Sequence, residues 1–173
     1  MSETRVRVRD CVDRNPGIHF NEISRRLDIA TGQTQYHLRK LRRADRIERE
    51  AVAGRTHFYP PTYTDWERGA IALLRRETTR EIVVLLLNAG RERPDRIADR
   101  LDIARSTVEW HLSNLVDNDL AVKQTVEEDG PGRVVVELAR PEETYRLLRE
   151  VEPRLTDRLA DRFARLTDDL LSD

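Results

Sequence analysis

Residues 23–45 read ISRRLDIATGQTQYHLRKLRRAD, and residues 97–119 read IADRLDIARSTVEWHLSNLVDND. Laid over one another at an offset of 74, they agree at ten of 23 positions without a gap. Ile23, Arg26, Leu27, Asp28, Ile29, Ala30, His37, Leu38, Leu41 and Asp45 recur as the same residue types between Ile97 and Asp119. Self-similarity of this kind means that one supersecondary unit occurs twice. Solenoid repeats run about 20–50 residues, so a longer period points to two domains of one fold.

Each copy carries the same punctuation. A short helix (about 21–27 and 94–101) ends in a link, Asp-Ile-Ala-Thr or Asp-Ile-Ala-Arg, and a longer helix follows at about 32–44 and 106–118. Thr34, Leu38 and Leu41 in the first copy, and Val108, Leu112 and Leu115 in the second, recur at i, i+4, i+7 and mark the face turned to the core. Ser106 with Glu109 forms a capping-box pattern at the start of the second long helix, and Gly32 with Gln35 a weaker version in the first. A hairpin comes next, 46–52 and 56–59 about Ala53-Gly54 in the first copy, 120–127 and 134–138 about a Gly-Pro-Gly loop in the second. Upstream of each pair lies a further helix, near 3–14 and 78–89.

Helix, helix, helix, hairpin is the order of a winged helix-turn-helix. The predicted fold is mainly α with small β-hairpin wings: tandem winged helix-turn-helix domains plus a long C-terminal helix. The boundaries fall at 1–60 for the first domain, 61–76 for a linker helix, 77–139 for the second domain and 140–173 for the C-terminal amphipathic helix.

The whole chain, 173 residues with 36% charged and 5% aromatic, suits small helical cores. Its longest apolar run, 82–87, is six residues, against roughly 20 for a bilayer span. No membrane partner is therefore expected, and with no apolar leader at the start the expected location is cytoplasmic. The single Cys11 excludes an intramolecular disulfide and a Cys-rich zinc site. No Gly-rich phosphate loop and no H-E-x-x-H motif occurs, so no enzyme activity, cofactor or metal is expected.

The net charge of −1 averages unlike segments. Residues 1–60 carry thirteen Lys and Arg against eight Asp and Glu, residues 61–139 eleven against fifteen, and residues 140–173 seven against nine. A basic front inside a near-neutral chain is a partner signal that the total conceals. Cations are almost all Arg, with Lys only at Lys40 and Lys123, a bias that fits a GC-rich or salt-adapted genome.

The stretch NPGIHFNEISRRLDIATGQTQYHLRKL, followed by a Gly-centred hairpin ending in HFYP, resembles the first module of archaeal transcriptional regulators with two winged-helix domains. RLDIARSTVEWHLSNL is similar to their second module and to the wider ArsR/MarR-like group. The resemblance covers about residues 5–140 and implies a dimeric, sequence-specific DNA-binding regulator whose second helix of each pair enters the major groove.

The residues themselves separate the two copies. Between Thr31 and Arg43 stand four cations and no acid, whereas a merely solvated helix mixes signs to gain i,i+4 pairs. With Thr34, Leu38 and Leu41 inward, the outer face carries Gly32, Tyr36, Arg39, Lys40 and Arg43, with Gln33 beside it. A basic wing adds Arg49, Arg55 and His57. Double-stranded DNA is the expected partner, contacted by Thr31, Gln33, Gln35, Tyr36, Arg39, Lys40, Arg43, Arg49, Arg55 and His57.

In the second copy the outward set is Ser106, Trp110, Ser113, Asn114 and Asp117, and the wing is acidic, which repels a polyanion. That copy reads as structural or protein-binding, with Trp110 either a partner anchor or, as is commoner for a large aromatic, buried within the chain. A tandem protein–protein interaction module is thus the alternative function.

His37 and His111 sit at the edge of the buried stripe, with no second ligand at i+4, and read as packing residues. His19 and His57 likewise have no ligand-spaced partner, and Cys11 reads as a small buried hydrophobe. An apolar stripe, Leu148, Val151, Leu155, Leu159, Phe163, Leu166 and Leu170, needs a partner, and the same helix of a second chain is the expected one. Pro153 is expected to break or kink that helix near Glu152.

Overall fold

A computed structural model describes residues 2–127 and 130–152. The chain divides into two compact units between Arg75 and Arg76.

The first unit runs α1 (Glu3–Arg14), β1 (Ile18–His19), α2 (Phe20–Leu27), α3 (Thr31–Arg43), β2 (Glu48–Val52), β3 (Arg55–Tyr59) and α4 (Asp65–Leu74). Val8, Cys11 and Val12, at i, i+3 and i+4, turn α1 inward. Ile18, Ile23, Leu38, Leu41, Ile47 and Phe58 complete one core, with Phe20, Leu27 and Ile29 packed at its edge. The three strands form an antiparallel sheet in the order β1-β3-β2, registered by Ile18 opposite Phe58 and Arg49 opposite Phe58 on the other side.

Ala53 (φ 48°) and Gly54 (φ 77°) both take left-handed backbone and close β2 onto β3, the two-residue turn that suits a twisted hairpin. Gly17 does the harder work. Its φ is +78°, and a Cβ there would stand 2.7 Å from Ile71 Cγ2 of α4, so only glycine lets α4 come this close. A capping box starts α4, with Thr64 Oγ1 accepting from the Glu67 amide at 3.2 Å and Glu67 Oε2 accepting from the Thr64 amide at 2.9 Å. Tyr59, fully buried, donates its hydroxyl to the Arg68 carbonyl at 2.8 Å, and Arg68 Nε donates to Glu50 at 2.6 Å.

The second unit repeats the plan: α5 (Glu77–Ala89), β4 (Arg91–Glu92), α6 (Pro94–Leu101), α7 (Arg105–Asp117), β5 (Ala121–Val126) and β6 (Arg133–Leu138), then α8 (Pro141–Val151). Its sheet order, β4-β6-β5, is the same. Ile82, Leu86, Ile97, Val108, Leu112, Leu115 and Val136 are sealed from solvent.

The repeat is a repeat of backbone conformation. Asp28 and Asp102 end α2 and α6 in left-handed conformation, φ 51° and 52°, and Asp45 and Asp119 do so after α3 and α7, φ 51° and 58°. Asp is one of the few side chains that tolerates this region, through local polar bonding.

Three expectations need correction. Neither long helix uses the capping pattern, because each starts one residue early: the N-caps are Ala30 and Ala104, with no side-chain bond. Each sheet has a third strand of two residues that hydrophobic patterning did not show. Finally, Leu148 lies fully buried with Thr144 and Leu147 on α8, so it serves its own domain. α8 ends at Val151, and Leu155, Leu159, Phe163, Leu166 and Leu170 lie outside the described residues.

Candidate nucleic-acid interface

Burial of Thr34, His37, Leu38 and Leu41 fixes how α3 is rolled. The remaining positions then form two rows. Gly32, Tyr36, Lys40 and Arg43 run along the outer ridge, all exposed. Gln35, Arg39 and Arg42, at i, i+4 and i+7, run along the flank that faces the wing. Tyr36 is 49% exposed, with Lys40 Nζ 5.7 Å from its ring centroid. At the helix start Thr31, Gly32 and Gln33 are exposed, and a Cβ at Gly32 would meet nothing within 4 Å. With no side-chain cap, the positive end of the helix dipole is left available to an anion.

Between that flank and the sheet lies a groove of about 470 Å³. Leu38, Phe20 and Phe58 form its floor, and Gln35, Arg39, Arg42, Arg49, Thr56 and His19 its rim. Arg49 and Thr56 join Phe58 on one face of the sheet, as the cross-strand register requires. Arg39, Arg42, Arg43, Arg49 and Arg55 are exposed and form no ion pair among the described residues. Elsewhere in this unit Arg9 pairs with Asp10, Arg26 with Glu22 at 2.5 Å, Arg68 with Glu50 and Arg75 with Glu22 at 3.3 Å, while Arg5, Arg7, Arg14, Arg25 and Arg46 also form no ion pair among the described residues. What sets α3 and the wing apart is that five such cations are gathered on them.

One expected contact fails. His57 is only 5% exposed, and its Nδ1 lies 2.8 Å from the Gly17 carbonyl. It is a structural residue of β3, held in by that contact with the loop before β1. Arg42 is the converse, a groove residue outside the expected contacts although the 35/39/42 spacing contains it.

The histidines of the two long helices pack, with no ligand set about them. His111 Nδ1 is 2.9 Å from Thr79 Oγ1. Burial holds its imidazole below the usual value, and Arg76 adds to the effect. Burial, then Arg5, does the same to His37. Burial pushes the Cys11 thiol up, away from a reactive thiolate. Among the described residues no group of three or more His, Cys, Asp or Glu could hold a metal, and no helix is long and apolar enough to cross a membrane.

The second unit presents a different surface. Trp110 is not buried as expected: it is 47% exposed, with the Arg76 guanidinium 5.2 Å from its ring centroid. Lys123 Nζ is paired with Glu109 Oε2 at 2.7 Å. Ser106, Ser113 and Asp117 are exposed, and Asn114 is half-buried and donates to the Trp110 carbonyl at 2.8 Å.

Comparison with known proteins meets this geometry on both units. Residues 2–71 match a family model described as an N-terminal HTH domain, and residues 75–121 one described as winged helix-turn-helix DNA-binding. An uncharacterized HTH-type transcriptional regulator of Methanocaldococcus jannaschii is 27% identical over 128 residues, covering 74% of this chain and 32% of that protein. The chain thus spans about a third of the length of this relative.

Proposed function

We propose that the chain is a sequence-specific, double-stranded-DNA-binding transcriptional regulator that reads DNA mainly with α3 and the wing of the first unit. The observation that carries this reading is the set of unpaired, exposed arginines at positions 39, 42, 43, 49 and 55. A helix of 13 residues with such a face has the size and charge for the major groove. Gln33, Gln35 and Arg39 supply groups that recognise adenine and guanine edges, and Thr31, Tyr36, Lys40, Arg43, Arg49 and Arg55 supply phosphate contacts. The printed name of the Methanocaldococcus relative, a transcriptional regulator of HTH type, agrees. In this reading 1–60 and 77–139 are the two modules, 61–76 their connection, and 140–173 the segment that pairs two chains, so that the operator mirrors a two-fold axis.

The test is binding to genomic fragments under a salt titration. Arg39→Ala, Lys40→Ala and Arg43→Ala should each weaken binding and flatten the salt slope by about one unit per lost phosphate contact. Unchanged affinity and slope in all three would remove α3 from the interface.

A specific observation favours a second role for the other unit. With Lys123 neutralised by Glu109 and an exposed indole at Trp110, α7 is better suited to a protein surface than to a polyanion. Retention of a stable protein partner by the chain, lost in Trp110→Ala, is the measurement that supports it; retention by both forms removes Trp110 from that contact.

A further inference from the structure

The two units are the same fold carrying opposite chemistry at one place. At the repeat offset of 74, Gln35 corresponds to Glu109 and Arg49 to Lys123. Strand register gives the same equivalence, because Arg49 faces Phe58, Lys123 faces Val136, and those two residues face Ile18 and Glu92 in turn. In the second unit the helix carboxylate reaches across to the wing cation, Glu109 Oε2 to Lys123 Nζ at 2.7 Å. The other two arginines of the first groove are replaced there by Ser113 and Val116.

In the first unit the pairing carboxylate is missing. Position 35 is an amide, and three guanidinium groups, Arg39, Arg42 and Arg49, share a groove of about 470 Å³ with no ion pair among the described residues. Three cations gathered beside an apolar floor of Leu38, Phe20 and Phe58 repel one another. An anion of the right size offsets that repulsion, and guanidinium forks match oxyanion geometry. The volume lies within the range of small-ligand sites, roughly 300–1,000 Å³.

We infer that the α3–wing groove of the first unit is a binding site for an organic oxyanion, a phosphate or carboxylate group carried on a small apolar body, and that the Glu109–Lys123 pair closes the equivalent groove in the second unit. The oxygens take Arg39, Arg42 and Arg49, with the Gln35 amide as a further donor, and the apolar body lies on Phe58 and Leu38. Two sources carry this chemistry: a free small molecule, and a nucleotide of a DNA strand with its sugar on the floor. The second source rests on the DNA-binding reading and the first does not.

The experiment uses the full chain and the variant Gln35→Glu, which installs the carboxylate that the second unit already accommodates. Arg14→Gln, an equal change in net charge at an exposed position of α1 outside the groove, is the control. Titration calorimetry with phenyl phosphate, in the absence of DNA, should show binding that is weakened at least about tenfold by Gln35→Glu and less than about threefold by Arg14→Gln. Inorganic phosphate, without the apolar body, should bind more weakly than phenyl phosphate. A labelled duplex, titrated separately, distinguishes the sources. Duplex affinity that falls tenfold in Gln35→Glu alone, without phenyl phosphate binding, makes the DNA strand the occupant. Phenyl phosphate binding with the same variant dependence, and no duplex binding by the wild-type chain, keeps the groove and sinks the DNA reading. Equal responses of Gln35→Glu and Arg14→Gln, or no response to either probe, overturn the inference.

Discussion

His57 Nδ1 lies 2.8 Å from the carbonyl oxygen of Gly17, forty residues earlier in the chain. That single bond ties β3 to the loop before β1, at the point where Gly17 also donates its amide to the Phe58 carbonyl at 2.8 Å. His57→Ala should therefore act on folding, costing about 1–3 kcal/mol because it leaves a buried carbonyl short of a partner. Urea denaturation reads the loss. DNA affinity of the folded variant should stay within about twofold of wild type, whereas a phosphate contact would cost more and change the salt slope.

Gly17→Ala should be worse. The substitution meets both a left-handed φ of +78° and a Cβ only 2.7 Å from Ile71 Cγ2, and the two costs add to roughly 2–4 kcal/mol. Gly32→Ala has open space at its Cβ and an ordinary helical backbone, so it should stabilise α3 by up to about 1 kcal/mol. Thermal melts of the two variants should move in opposite directions.

The four left-handed aspartates give a paired comparison. Asp28→Gly and Asp102→Gly should leave stability unchanged or raise it slightly, since glycine holds φ near 51° without a Cβ penalty. Asp28→Val and Asp102→Val should each lose about 1–2 kcal/mol. Calorimetric melting of the four variants checks the sign at both copies.

Acidification should destabilise the protein through its packed histidines. Burial lowers the pKa of His19, His37 and His111, so below the ordinary value of 6.5 the unfolded chain takes up protons that the folded chain resists. Stability is then full above about pH 6.5 and falls as pH drops below it. His111→Gln should flatten the fall between pH 7 and 5, as followed by chemical denaturation at fixed ionic strength.

What was legible in the sequence was what periodicity and self-similarity encode. The buried stripe Thr34, Leu38, Leu41 follows from spacing alone, and its recurrence as Val108, Leu112, Leu115 predicted the second domain. The identities Asp28/Asp102 and Asp45/Asp119 stood in the alignment, but their cause is a backbone angle and became visible only in the fold. β1 and β4 are two residues long, too short for any alternation to register. The inward turn of His57 is equally hidden, because the carbonyl it meets belongs to Gly17, forty residues away in the chain. Arg42 is hidden for a related reason. Helical geometry gives its direction, but only the arrival of β2 makes that direction the wall of a groove.

Asp28 and Asp45 have a further consequence, one that follows from where the left-handed turns fall. Both are exposed, and they stand just beyond the two ends of α3. The cationic stretch is fenced, front and back, by a negative post. At 1.5 Å per residue the span between the ends of that helix is about 20 Å, so the turns that fold the domain also place one carboxylate beyond either end of its cationic helix.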